Sequence, residues 1–132
     1  MQYLKRFLLV VLAVVALLLA GFVVWASIAM RPGTLALDAL RATDTVIVNE
    51  TPGYLSFQPT QTEASIGLIF YPGARVDYRA YAPVMRTLAE QGYLVVVVPV
   101  RLNMALFDVE AASSVPQAFP QIETWAVGGH SL

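Results

Sequence analysis

The last residues of the sequence combine glycine and serine at a spacing that suits nucleophilic catalysis. Residues 128–132 read GGHSL, so Ser131 follows Gly129 by two positions with His130 between them. A serine nucleophile must stand clear of its sheet on a strand-to-helix turn that is too tight for bulky neighbours, which is why glycines flank it. Residues 129–132 supply the first four positions of such an elbow. We therefore predict that Ser131 is a nucleophile and that Gly129 and His130 shape the elbow.

Acyl transfer also needs backbone N–H groups that already point to where negative charge develops on the carbonyl oxygen of the substrate. One such donor follows the nucleophile at a turn of this kind, which assigns that role to Leu132. The other comes from a loop after an earlier strand, and here the sequence has Tyr71-Pro72-Gly73-Ala74. Ala74 is the first candidate for this second donor. Gly73 is the next, since glycine lets the backbone approach a substrate closely.

The hydroxyl of a nucleophilic serine needs a base, and in the order expected here an acid and then a histidine follow the serine. His130 is the only histidine among the 132 residues. Neighbouring side chains diverge on a tight turn, so we interpret His130 as a residue that packs or shapes the elbow. Asp77, Asp108 and Glu123 precede the serine and are interpreted as caps or solvated surface. We expect the 132 residues alone to be inactive for want of the acid and the histidine.

A long apolar run near the N-terminus predicts a membrane anchor. Residues 7–30 contain no charged side chain, and Lys5 and Arg6 precede them. A helix of this length spans roughly 36 Å, which exceeds the hydrocarbon core of about 30 Å. The basic residues predict a cytoplasmic tail at residues 1–6 and an extracytoplasmic domain after the anchor. The alternative is a signal peptide cleaved after Ala29, with secretion of the rest, but such peptides have shorter apolar stretches.

The remaining residues predict a stalk at 31–44, with a short helix near 35–41, and an α/β domain at 45–132. Short β-branched and aromatic runs predict five strands, over residues 45–48, 54–57, 66–70, 93–99 and 124–127. A helix is predicted over residues 78–91, with Asp77 as its N-cap and Gly92 after its end. Residues 101–121 predict two short helical pieces, because Pro116 opposes one continuous helix. This order predicts an opening hairpin and then parallel strands with helices on both faces.

Two segments resemble the α/β-hydrolase superfamily: IGLIFYPGARVDYRAYAPVMRTLAEQGYLVVVVP at residues 66–99, and WAVGGHSL at residues 125–132. The most similar group is the fold-5 α/β-hydrolases, relatives of dienelactone-hydrolase-type esterases, over residues 45–132. The resemblance implies a mostly parallel central sheet, Ser131 as the nucleophile, and Leu132 and Ala74 as oxyanion donors. It also implies an acid and a histidine further downstream. On this basis we expect a membrane-anchored serine hydrolase whose sheet is truncated at the nucleophile elbow.

Composition excludes several other kinds of function. The net charge of −1 gives no basic surface for a nucleic acid, and the absence of cysteine rules out disulfides and thiolate metal sites. We predict no cofactor and no metal. The expected partners are a small ester-like substrate and the lipid bilayer around residues 7–30, with no obligate protein partner. The alternative function is a non-catalytic, membrane-tethered binding module, which is disfavoured because its last strand would lie at an open sheet edge.

Overall fold

The computed structural model describes residues 2–131, and its first element is a long apolar helix. This helix, α1, comprises Gln2–Ser27 and is long and apolar enough to cross a membrane, a criterion that an N-terminal signal sequence meets equally. The apolar run was predicted to extend to residue 30, but the helix ends at Ser27. Met30 instead forms an isolated parallel bridge with Val76. The most apolar part of α1 is not covered by the rest of the chain. One face of its last turn is covered, since Ala26 is buried.

The segment after α1 runs along the body of the protein. A short helix, α2, comprises Thr34–Asp38, where the sequence had predicted residues 35–41. The guanidinium of Arg86 donates from Nε to the carbonyl oxygen of Ala39 at 3.1 Å. It also donates from Nη1 to Oγ1 of Thr43 at 3.3 Å. These bonds attach residues 31–44 to the body of the chain.

Five strands form one mixed sheet. They are β1 Val46–Glu50, β2 Leu55–Pro59, β3 Ile66–Tyr71, β4 Leu94–Val97 and β5 Thr124–Gly129. Their order in the sheet is β1-β2-β4-β3-β5. β1 and β2 form the predicted antiparallel hairpin, and β2 pairs antiparallel with β4. β3 lies between β4 and β5 and is parallel to both, which confirms the predicted α/β order.

The predicted helix over residues 78–91 is wrong in its first turn. Residues Tyr78–Tyr81 form a 3₁₀ turn, and the α-helix α3 comprises Ala82–Glu90. The carboxylate of Asp77 accepts the N–H of Arg79 at 2.9 Å, which closes the tighter turn. Pro83 then lies in the first turn of α3, where its missing N–H breaks no helical bond. Gly92 has φ +97° after the helix, as predicted for a C′ glycine.

Residues 101–121 form three short pieces where the sequence predicted two. They are the 3₁₀ turns Arg101–Asn103 and Ala105–Phe107 and the one-turn helix α4, Val115–Ala118. Pro116 does not separate two helices, because it lies in the first turn of α4.

The core lies on both faces of the sheet. β4 is buried along its whole length, as predicted. One face packs against α3 and the other against α4, with Met85 in the first cluster and Phe119 in the second. β3 is less buried than predicted, since Ile66 is exposed and its neighbour β5 is an exposed edge strand.

Candidate active site

The loops that follow β3 and β5 lie side by side at the carboxyl edge of the sheet. The last residue pair in the β3–β5 register joins Tyr71 to Gly129. The N–H of His130 then donates to the carbonyl oxygen of Tyr71 at 3.1 Å, and the N–H of Ala74 donates to the carbonyl oxygen of Ser131 at 2.9 Å. Ser131 lies outside any helix or strand. The structure therefore brings the Gly129–Ser131 segment against the loop that contains Gly73 and Ala74.

Gly73 is the point of closest approach between the two loops. A Cβ atom at this position would lie 2.7 Å from Nδ1 of His130 and 2.9 Å from the carbonyl oxygen of Ser131. Separations under about 3 Å at a Cβ force a neighbour to move, and here one of the two neighbours is backbone. Residue 73 must therefore be glycine for the loops to keep this contact.

Tyr81 links the two loops through its hydroxyl group. Its oxygen accepts the N–H of Gly73 at 2.9 Å and shares a hydrogen bond of 2.8 Å with Nδ1 of His130. The rings of Tyr81 and His130 meet edge to face, with their centroids 5.9 Å apart. The sequence predicted Tyr81 only as one residue of the helix over residues 78–91, and not as part of the candidate site. The signal that could have singled it out is its hydroxyl group, which needs a hydrogen-bond partner when it is partly buried.

The two candidate oxyanion donors in the β3 loop both have acceptors within the protein. The N–H of Gly73 donates to Tyr81, and that of Ala74 donates to the carbonyl oxygen of Ser131. Either amide can bind an oxyanion only after a substrate oxygen replaces its present acceptor. The third candidate donor, Leu132, lies outside the described residues.

The 3₁₀ turn that carries Tyr81 is held by a charged cluster at the end of β1. Oε1 of Glu50 accepts the hydroxyl of Tyr78 at 2.6 Å and Nε of Arg79 at 2.8 Å. The hydrogen bond from Tyr78, supported by that from Arg79, lowers the pKa of Glu50 below its ordinary value. Burial, together with the hydrogen bond to Glu50, raises the pKa of Tyr78. The ring of Tyr81 packs on Phe70 of β3 with centroids 4.9 Å apart, which fixes its direction toward the loops.

An apolar cavity of about 400 Å³ lies on the α4 side of the same sheet edge. It is lined by Tyr71, Ala105, Leu106, Val109 and Val127. The hydroxyl of Tyr71 donates to the carbonyl oxygen of Val109 at 2.8 Å, which attaches the far wall of the cavity to the end of β3. Because Tyr71 directly precedes the Pro72–Ala74 loop, the cavity adjoins the candidate site. Residues 2–131 contain no cluster of three acidic or histidine side chains that could hold a metal ion.

Comparison with known proteins identifies one family. The model of the alpha/beta hydrolase family matches residues 67–132, a segment that contains β3, β4, β5 and both loops of the candidate site. A search of curated proteins found no match.

Proposed function

Because the chain belongs to the alpha/beta hydrolase family, we propose that it supports hydrolysis of esters or related acyl compounds, with Ser131 as the nucleophile. The observation that carries the proposal is the contact between the two loops, in which the N–H of Ala74 lies 2.9 Å from the carbonyl oxygen of Ser131. A serine at the end of a parallel strand, next to backbone donors on the neighbouring loop, is the arrangement that acyl transfer requires.

In the proposed reaction the Oγ atom of Ser131 attacks the acyl carbon and gives its proton to a general base. The carbonyl oxygen becomes anionic and accepts the N–H groups of Ala74 and Leu132. Collapse of this intermediate expels the alcohol, which takes the proton from the base, and leaves an acyl-serine. Water then attacks the acyl carbon of the acyl-serine and gives a proton to the base. The base returns the proton to Oγ of Ser131 as the carboxylic acid is released. For the first step, the substrate oxygen must displace the carbonyl oxygen of Ser131 from Ala74.

We assign the general base to a histidine other than His130. Nδ1 of His130 is already hydrogen-bonded to the hydroxyl of Tyr81 at 2.8 Å, which supports a role in holding the elbow. The base and its acidic partner are therefore not assigned to any of the 132 residues.

We further propose that the reaction takes place at a membrane. Residues 7–30 would form a single-pass anchor, with residues 1–6 in the cytoplasm and the hydrolase domain at 45–132 outside. Lys5 and Arg6 support this direction, because basic residues favour the cytoplasmic side. The alternative is a cleaved signal peptide and a secreted domain. Detection of a mature N-terminus near residue 30 by mass spectrometry would contradict the anchor.

Hydrolysis of short p-nitrophenyl esters by the protein expressed from its complete gene tests the enzymatic function. We expect Ser131→Ala to lower kcat by about 10³-fold or more, since loss of the nucleophile leaves only the residual effect of binding and the oxyanion donors. Ser113→Ala is the matched control, because Ser113 is exposed and distant in sequence from the elbow. Equal rates for the wild type and Ser131→Ala would contradict the proposal and favour a non-catalytic binding module.

A further inference from the structure

We propose that residues 105–109 form a second membrane contact beside α1, so that the candidate site is held at the bilayer surface. This inference rests on the proposed anchoring of α1 in a membrane. The partner is the headgroup and outer acyl region of a lipid bilayer. We call residues 105–109 the interfacial segment.

The end of α1 is bonded to the loops that surround the candidate site. Nδ2 of Asn103 donates to the carbonyl oxygen of Ala26 at 2.9 Å. Nε of Arg75 donates to the carbonyl oxygen of Ile28 at 3.2 Å. The N–H of Arg75 in turn donates to the carbonyl oxygen of Asn103 at 2.7 Å. The last turn of α1 thus contacts both the segment after β3 and the segment after β4.

The interfacial segment reaches back along α1 toward its apolar middle. The ring of Phe107 meets that of Phe22 edge to face, with centroids 6.1 Å apart. Phe22 precedes the end of the helix at Ser27 by five positions, which corresponds to about 7.5 Å along the helix axis. If α1 spans a bilayer, Phe107 lies level with the last one and a half turns of α1, within the membrane interface.

The apolar side chains of the interfacial segment suit that position, and the carboxylate of Asp108 among them is mostly buried and accepts the N–H of Arg101 at 3.1 Å. Leu106 and Val109 are 66% and 67% exposed, and Phe107 is 44% exposed. Surface-bound segments bury such apolar side chains about 5–10 Å into the headgroup and acyl boundary. Next to them the guanidinium of Arg75 lies 4.3 Å from the centroid of the Trp25 ring, a pairing of basic and aromatic groups typical of a membrane interface.

The bilayer is the occupant of this surface because the surface is continuous with α1. Both expose apolar side chains, and the Phe22–Phe107 contact joins them without an intervening polar residue. A lipid bilayer that covers the last turns of α1 must therefore contact the interfacial segment as well. Since Leu106 and Val109 also line the cavity next to the elbow, such a layer would lie at the mouth of that cavity.

Depth-dependent fluorescence quenching in vesicles tests this contact with the full-length protein. The 132 residues contain no cysteine, so Leu106→Cys and Val109→Cys each introduce one reactive thiol within them. Each variant is labelled with an NBD fluorophore and reconstituted into phosphatidylcholine vesicles that contain doxyl-labelled lipid. Val84→Cys is the matched control, since Val84 is 60% exposed on α3, away from α1. Leu18→Cys, in the middle of α1, reports whether the helix is inserted.

We expect the labels at 106 and 109 to be quenched about threefold more than the label at 84. We also expect them to emit at shorter wavelength, because a fluorophore held in the membrane interface is less exposed to water. Quenching at 18 together with equal quenching at 106, 109 and 84 would overturn the second contact and leave the anchor intact. Absence of quenching at 18 would overturn the anchor and the second contact together. Neither result bears on Ser131, whose role is tested separately by ester hydrolysis.

Discussion

The hydroxyl oxygen of Tyr81 and Nδ1 of His130, 49 positions apart in the chain, lie 2.8 Å from each other. Tyr81 ends the 3₁₀ turn before α3, and His130 follows β5, so this bond joins the crossover after β3 to the elbow after β5. The same hydroxyl accepts the N–H of Gly73, which lies between the two. One side chain thus positions both loops of the candidate site.

Substitution of Tyr81 by phenylalanine removes both hydrogen bonds and keeps the ring on Phe70. We expect Tyr81→Phe to lower the free energy of unfolding by about 1–2 kcal/mol, because the partners lose a bond in a partly buried site. We also expect slower reaction of Ser131 with a serine-directed probe. Tyr93→Phe is the control, since Tyr93 is 40% exposed at the other end of α3. Denaturant unfolding measures the first effect, and equal midpoints for the two variants would contradict it.

Substitution of Gly73 by alanine tests the contact between the loops. The added methyl group would lie 2.7 Å from Nδ1 of His130, so the loops must move apart. We expect Gly73→Ala to lower stability by about 1–3 kcal/mol, as overpacking does, and to lower kcat/KM for esters. Gly53→Ala is the matched control, because nothing lies within 4 Å of a Cβ at position 53. A Gly73→Ala protein as active and as stable as Gly53→Ala would exclude this packing.

The charged cluster at Glu50 predicts a pH-dependent contribution to stability. The pKa of Glu50 is below its ordinary value of 4.5, so the folded state favours the ionised carboxylate. Its contribution is therefore present above that pH and disappears as the pH falls through the lower pKa of the folded protein. We expect Glu50→Gln to be less stable than the wild type at neutral pH, with the difference vanishing in acid. Unfolding of both proteins as a function of pH measures it, with exposed Glu63→Gln as control. A difference that grows toward low pH would contradict this sign.

The sequence predicted the sheet well because local patterns determine it. The apolar run of β4, the glycine after α3 and the turn between β1 and β2 each depend on residues close in the chain. Errors arose where distant contacts outweigh local preference. The 3₁₀ turn at Tyr78–Tyr81 replaces a helical turn where Glu50, far away in the sequence, binds Tyr78 and Arg79.

The candidate site was predictable in part for the same reason. Ser131 and the Gly73–Ala74 pair stand out by residue type and spacing, and parallel strands bring their loops to one edge of the sheet. The role of Tyr81 depends on a hydrogen bond between residues of different loops, which no local pattern contains. The attachment of Arg75 and Asn103 to the end of α1 was likewise not predictable, because it joins segments more than 40 residues apart.

Labelling with a fluorophosphonate probe tests most directly whether Ser131 is the nucleophile. The full-length gene product is incubated with the probe and digested, and the modified residue is identified by tandem mass spectrometry. We expect the adduct on Ser131, its loss in Ser131→Ala and its persistence in Ser113→Ala. An adduct that persists in Ser131→Ala, or a wild-type protein that hydrolyses esters without modification of Ser131, would contradict the assignment of the nucleophile.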